Sequence, residues 1–180
     1  MTLSTALSTA LSTALGPPRW ALGFVRRHPV MVFGLSLVPA LERFTGQLTE
    51  RDPALGIAFE VTTLAVRLLL VALVVRIAII QEPLIGRLQG TAAGGRLQQF
   101  AQRHGRAIAL QSTLLVGLFV LADLVPEQLV PALTPVGPLY WATLLAVKNL
   151  TVIPFTMIWL IGAVRQALLA PDPEAASPAR

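Results

Sequence analysis

Read only for hydrophobic and polar positions, the chain alternates long apolar runs with short polar connectors. Four apolar stretches stand out, at about 29–48, 54–80, 107–125 and 139–162. A transmembrane helix needs about 20 predominantly apolar residues, and the last three stretches reach that length unaided. The third carries no formal charge before Asp123. The first opens at Pro29, a favoured first helical position, but its apolar run is interrupted at Glu42. A crossing there must carry Glu42 and Arg43 near its far end and bend at Pro39. A re-entrant hairpin is the alternative. Pro154 is expected to kink the fourth span.

The segments between these runs have their own patterns. Residues 2–15 hold three copies of Leu-Ser-Thr-Ala and a closing Leu, followed by Gly16-Pro17-Pro18. This reads as a low-complexity tail over 1–18, frayed or lying on a surface, that the Gly-Pro-Pro run ends. Residues 19–28 mix Trp20, Leu22, Phe24 and Val25 with Arg19, Arg26, Arg27 and His28, the composition of an interfacial segment. The longest polar connector, 83–106, contains Leu97, Phe100, Ala101 and His104 at helical spacing, which predicts an amphipathic helix on the membrane surface. Pro126, Pro131, Pro135 and Pro138 predict an irregular link before the last span. Tyr140 and Trp141 at one end of that span, and Trp159 near the other, fit an aromatic belt. The predicted fold class is all-α: an integral membrane bundle of four transmembrane helices with N-terminal and mid-chain amphipathic interfacial helices. The membrane domain covers 19–165, and 166–180 read as a disordered tail.

Composition agrees with this picture. Hydrophobic residues make up 54% of the chain and charged residues 13%, against about 25% charged in soluble domains. So little charge excludes a disordered chain and leaves too few polar side chains to cover a soluble globule. The absence of cysteine removes disulfides, thiol nucleophiles and cysteine-ligated metals together. The net charge of +5 does not point to nucleic acid, because the arginines cluster beside apolar spans without interleaved aromatics. Their distribution sets an orientation. Arg19, Arg26 and Arg27 precede the first span. Arg76, Arg87, Arg96, Arg103 and Arg106 mark the middle connector. Arg43 and Arg51 mark the first loop, and no cation lies in the third. The positive-inside rule then puts both termini and the middle connector in the cytoplasm of a multi-pass cell-membrane protein. Arg26, Arg27, Arg103 and Arg106 are candidate contacts for lipid headgroups.

Charges inside the spans are the candidates for chemistry. Arg67 lies near the middle of the second span, and Lys148 and Asn149 near the middle of the fourth. A cation facing lipid at that depth costs at least about 2.5–3.5 kcal/mol, so each should face the bundle interior or a partner. Glu60, Glu42 and Asp123 are the candidate counter-charges. Together Glu60, Arg67, Lys148, Asn149, Asp123 and Glu42 form a candidate intramembrane polar site, either a pathway or a set of structural ion pairs. His28 and His104 could ligate a haem in principle, but their arginine neighbours place them at an interface, and no cofactor or metal is expected. No zinc-protease, nucleophile-elbow or phosphate-loop motif is present, so no enzyme is expected. Arg-His, Leu-Val-Pro and Leu-Ala-Val-cation each occur in both halves, at unequal offsets, which hints at a repeated hairpin. The expected role is a non-enzymatic subunit or scaffold of a membrane assembly, with a small oligomeric transporter or channel as the alternative. The expected partners are the lipid bilayer and a membrane protein or a second copy.

Overall fold

A computed structural model describes residues 3–49, 53–86 and 90–170. Among them are seven helices. They are α1 (Leu3–Arg27), α2 (Pro29–Leu48), α3 (Pro53–Val75, continued by a π turn at Arg76–Ile80), α4 (Pro83–Gly86), α5 (Gly90–Arg103), α6 (Gly105–Leu133) and α7 (Pro138–Leu169). The fold is all-α. The helices Ala54–Ile80, Gly105–Leu133 and Pro138–Leu169 are each long and apolar enough to cross a membrane. The pair Leu7–Arg27 and Pro29–Leu48, bent by 92° at His28, makes a fourth if the two are counted as one broken span. By length and hydropathy this is a multi-pass membrane protein.

The long last helix organises the rest. Its first half packs against α2, and its second half against α1, with α4 and α5 also on that end. The small core draws on four helices: Ala21 and Phe24 from α1, Val32 from α2, Leu70 and Val74 from α3, Ile158 and Trp159 from α7. Around it the spans are apolar on the outside. Ile57, Val61, Leu64 and Leu68 of α3 and Val116, Phe119 and Leu121 of α6 are all exposed. That is stable only where hydrocarbon takes the place of water.

Proline does not end helices here as the sequence suggests, because other groups take over the bonds it removes. The sequence predicts a break at Gly16-Pro17-Pro18, yet α1 runs through it. Pro17 has no N–H to offer the carbonyl of Thr13 four residues earlier. Gln166 Nε2 of α7 donates to that oxygen instead, at 3.0 Å. Residues 3–18 therefore belong to a helix that docks on α7, with Ala14 and Pro17 buried, and residues 1–2 lie outside the described residues. In α6, Val120–Leu129 is a π segment containing Pro126, and the predicted irregular link begins only after Leu133. The N–H of Val130 bonds Val125 O, five residues back. In that register the next donor would be Pro131, which has none. Tyr140 Oη donates to the freed Pro126 oxygen at 2.6 Å.

Two further expectations change. Trp159 is no belt residue. It is 5% exposed and stands edge-on to Phe155 in the core, because α1 lies across that end of α7. Helix α7 also passes the predicted boundary at 166 and reaches Leu169, with Ala167 and Leu168 buried. Arg96 Nη1 of α5 donates to Leu168 O at 3.1 Å, satisfying a terminal carbonyl with a cation at the negative end of the helix dipole. Residues 171–180 lie outside the described residues.

Candidate functional site

The charges in the spans sort into four places rather than one. Lys148 and Asn149 occupy a π turn at Lys148–Val152, and both are buried. A π turn adds a residue to the helical circuit, shifts the faces beyond it and often marks a functional position. Here it lies beside the π segment of α6, which carries Asp123 and Glu127 one helical turn apart. Lys148 Nζ contacts Asp123 Oδ1 and, at 2.5 Å, Glu127 Oε1. Two carboxylates around one ammonium leave the trio with a formal charge of −1. The sequence offers Asp123 as a counter-charge, whereas Glu127 falls in the irregular link predicted from Pro126 onward. Only the continuation of α6 past Pro126 brings it back to Lys148.

Asn149, the next residue, faces a different neighbour. Its Oδ1 accepts from Arg67 Nη2 at 2.6 Å, and its Nδ2 donates to Leu145 O within α7. Arg67 thus meets a neutral amide rather than Glu60, and its Nε is buried with no acceptor among the described residues. The space beside it, lined by Ser36, Pro39, Leu70 and Met157, measures about 10 Å³. That is about the volume one water requires, too little for a substrate.

The remaining two places lie toward the ends of α2 and α3. Thr63 Oγ1 donates to Glu42 Oε2, and both residues are buried. Arg43, adjacent to Glu42, reaches Glu60 at 2.7 Å. Glu60 has a side chain 59% exposed, so it faces outward and does not share a chamber with Arg67. Adjacent residues on one helix necessarily diverge by about 100°. This is why Glu42 and Arg43, and likewise Lys148 and Asn149, serve different neighbours. Thr63, Arg43 and Glu127 complete these contacts, and the sequence offered no signal for the first two.

Two other features adjoin the charges. Between α6 and α7 lies an open cleft of about 680 Å³, lined by Phe119, Asp123, Glu127, Lys148, Val152 and Met157 among others. Helix α6 touches the rest of the molecule mainly through α1 at its base and the Lys148 trio and Tyr140 above. The most apolar stretch of α6 contains no buried residue. At the opposite end, each histidine packs on the phenylalanine four residues before it: Phe24–His28 at 4.7 Å and Phe100–His104 at 4.5 Å between ring centroids. Both histidines sit at the break between two consecutive helices, α1–α2 and α5–α6. The Arg-His halves of the suspected repeat are therefore alike in structure. The Leu-Val-Pro halves are not, since Pro39 lies in regular α-helix and Pro126 in a π segment. No group of three or more His, Asp or Glu side chains suited to a metal ion occurs among the described residues.

Fold and site together define a small polytopic membrane protein with internally partnered charges. No known protein family, curated protein or solved structure matches the chain.

Proposed function

We propose that this chain is a non-enzymatic subunit or scaffold of a membrane assembly. One observation carries the reading: the intramembrane cations already have partners within the chain, and in separate places. Lys148 is held by Asp123 and Glu127, and Arg67 by Asn149. A conduction path would gather Arg67, Lys148 and Glu60 around one polar cavity, whereas Glu60 turns outward to Arg43. The bareness of α6 adds support. Helices in a bilayer associate by close packing of their faces, and α6 offers a face to another membrane protein or a second copy. Purification of the full chain in mild detergent should recover a different membrane protein in stoichiometric amount. Recovery of a homodimer alone overturns the subunit reading. A small oligomeric transporter is the second reading, favoured by the 680 Å³ cleft with Lys148, Asp123 and Glu127 on its wall.

We further propose that both termini and the α4–α5 region face the cytoplasm of the cell membrane. Support comes from charge: the end carrying α1 and α5 has Arg19, Arg26, Arg27, Arg96, Arg103, Arg106 and Arg165 against Glu82, and the other has Glu42, Glu60, Asp123 and Glu127 against Arg43. The chain contains no cysteine, so single introduced cysteines report without background. In intact cells a membrane-impermeant maleimide should label Thr134→Cys and leave Gly94→Cys unlabelled until the membrane is opened. The reverse pattern refutes the orientation.

A further inference from the structure

Where α5 ends and α6 begins, a second cavity opens against α1. It measures about 440 Å³ and is lined by Thr9 and Thr13 of α1 and by Arg103, His104 and Arg106, with Gln102 beside them. Its position follows from sequence. Thr9 and Thr13 come from successive Leu-Ser-Thr-Ala copies, so the four-residue period puts both on one face of α1. The Gln166–Thr13 carbonyl bond and the close fit at Gly16 fix α1 against α7, which also fixes the distance of its threonine face from α6.

The chemistry of the lining is one-sided. Arg103 and Arg106 are exposed and have no ion-pair partner among the described residues. No carboxylate lines the cavity. Glu82, the described acid at this end, is committed to Arg165. His104 is the N-cap of α6 but makes no capping hydrogen bond with its side chain. Its Nδ1 is buried without a partner. The first N–H groups of α6, at Gly105 to Ala107, belong to residues that line the same space and have no acceptor inside the helix. Two unpaired guanidinium groups beside the helix N-terminus in one cavity form a donor set for a tetrahedral oxyanion.

We propose that this cavity holds the phosphodiester headgroup of an anionic phospholipid, with its acyl chains in the adjoining bilayer. The setting favours lipid as the source of the phosphate. α1 turns by 92° from α2, so it lies along the surface when α2 stands in the membrane. α5 leaves Leu97 and Ala101 exposed on its outer side, where acyl chains would meet them. The proposal also gives the second and third Leu-Ser-Thr-Ala copies a role: exposed Leu7 and Leu11 face lipid, and Thr9 and Thr13 wall the headgroup site.

The test uses the full chain in phosphatidylcholine nanodiscs doped with phosphatidylglycerol, with lipid retention read by native mass spectrometry after release into detergent. Two double variants remove the same net charge from the same rim: R103Q/R106Q from the cavity and R26Q/R27Q from outside it. Phosphatidylglycerol retention should fall roughly tenfold in the first and stay within about twofold of the parent in the second. Equal losses in both reduce the effect to general rim charge and overturn the proposal, as does an unchanged R103Q/R106Q. Inorganic phosphate is titrated in a separate arm. Saturation by it, with displacement of phosphatidylglycerol, assigns the donors to a soluble anion and overturns the lipid assignment. Retained circular dichroism and gel-filtration profiles show that the variants, altered only at exposed arginines, remain folded.

Discussion

Lys148→Met should destabilise the protein by about 3 kcal/mol, near the low end of the range for breaking a buried ion pair. Removing the ammonium leaves Asp123 and Glu127 facing each other one turn apart on α6, with no cation in reach. Asp123 is 19% exposed and Glu127 36%, so water relieves part of the penalty at Glu127. The loss is also mechanical. With few other contacts between α6 and α7, the trio and the Tyr140 bond are what hold the upper part of α6. Equilibrium unfolding in mixed micelles measures the effect, and the compensated triple variant D123N/E127Q/K148M provides the discriminating control. It should recover most of the stability, because replacing a whole ionic cluster by neutral groups is often close to neutral. A single variant as stable as the parent, or a triple variant worse than the single, would contradict the arrangement. Glu60→Gln, which breaks only the exposed pair with Arg43, should shift stability by less than about 1 kcal/mol.

The contrast between these two pairs shows what the sequence could and could not disclose. Hydropathy locates the long helices closely: 29–48 is α2 to the residue, 54–80 is α3 with its π turn, and the last two stretches begin within two residues of α6 and α7. That much follows from length and apolar content, which are properties of segments. α1 and α6 run further than the sequence predicts because proline does not act as a stop in either. Pro17 and Pro131 each remove a donor, and the sequence does not reveal that Gln166 and Tyr140 stand ready for the orphaned oxygens. Those partners are 153 and 14 residues away in the chain, beyond any local pattern.

The polar site shows the same limit. Burial cost alone calls for partners for Lys148 and Arg67, but it does not choose them. Arg67 and Glu60 share a helical face but stand seven residues, about two turns, apart, and Glu42 and Asp123 are equally open to Arg67 by sequence. Glu60 instead joins Arg43, and Arg67 crosses to Asn149. The choice depends on how α2 and α7 rotate against α3, and the π turn at Lys148–Val152 sets part of that rotation. Segment-level physics thus gave the architecture, and the pairing inside it came from tertiary register.

Gly162→Ala should undock α1 from the end of α7. A methyl at position 162 would lie 2.6 Å from Trp20 Cε3 and 3.3 Å from the Pro17 carbonyl oxygen. Neither is a flexible side-chain tip. Trp20 is wedged between Phe24, at 5.3 Å between centroids, and the Arg165 guanidinium, at 5.6 Å from its ring. Pro17 O is backbone in a helix. The clash therefore moves α1 as a body, at about 1–3 kcal/mol, and takes the Gln166–Thr13 bond with it. Gln166→Leu tests that bond separately. It leaves the Thr13 oxygen, orphaned by Pro17, without a donor at a half-buried site, at about 1–2 kcal/mol. Both variants should speed hydrogen exchange across 10–25 while leaving α3 protected. Gly117→Ala, where nothing lies within 4 Å of the added carbon, should match or slightly exceed the parent in stability, since alanine is the better helix former. Parental exchange rates in α1 of the Gly162 variant would mean that α1 does not rest on α7 in the bilayer, and the headgroup cavity between α1 and α6 would lose its wall.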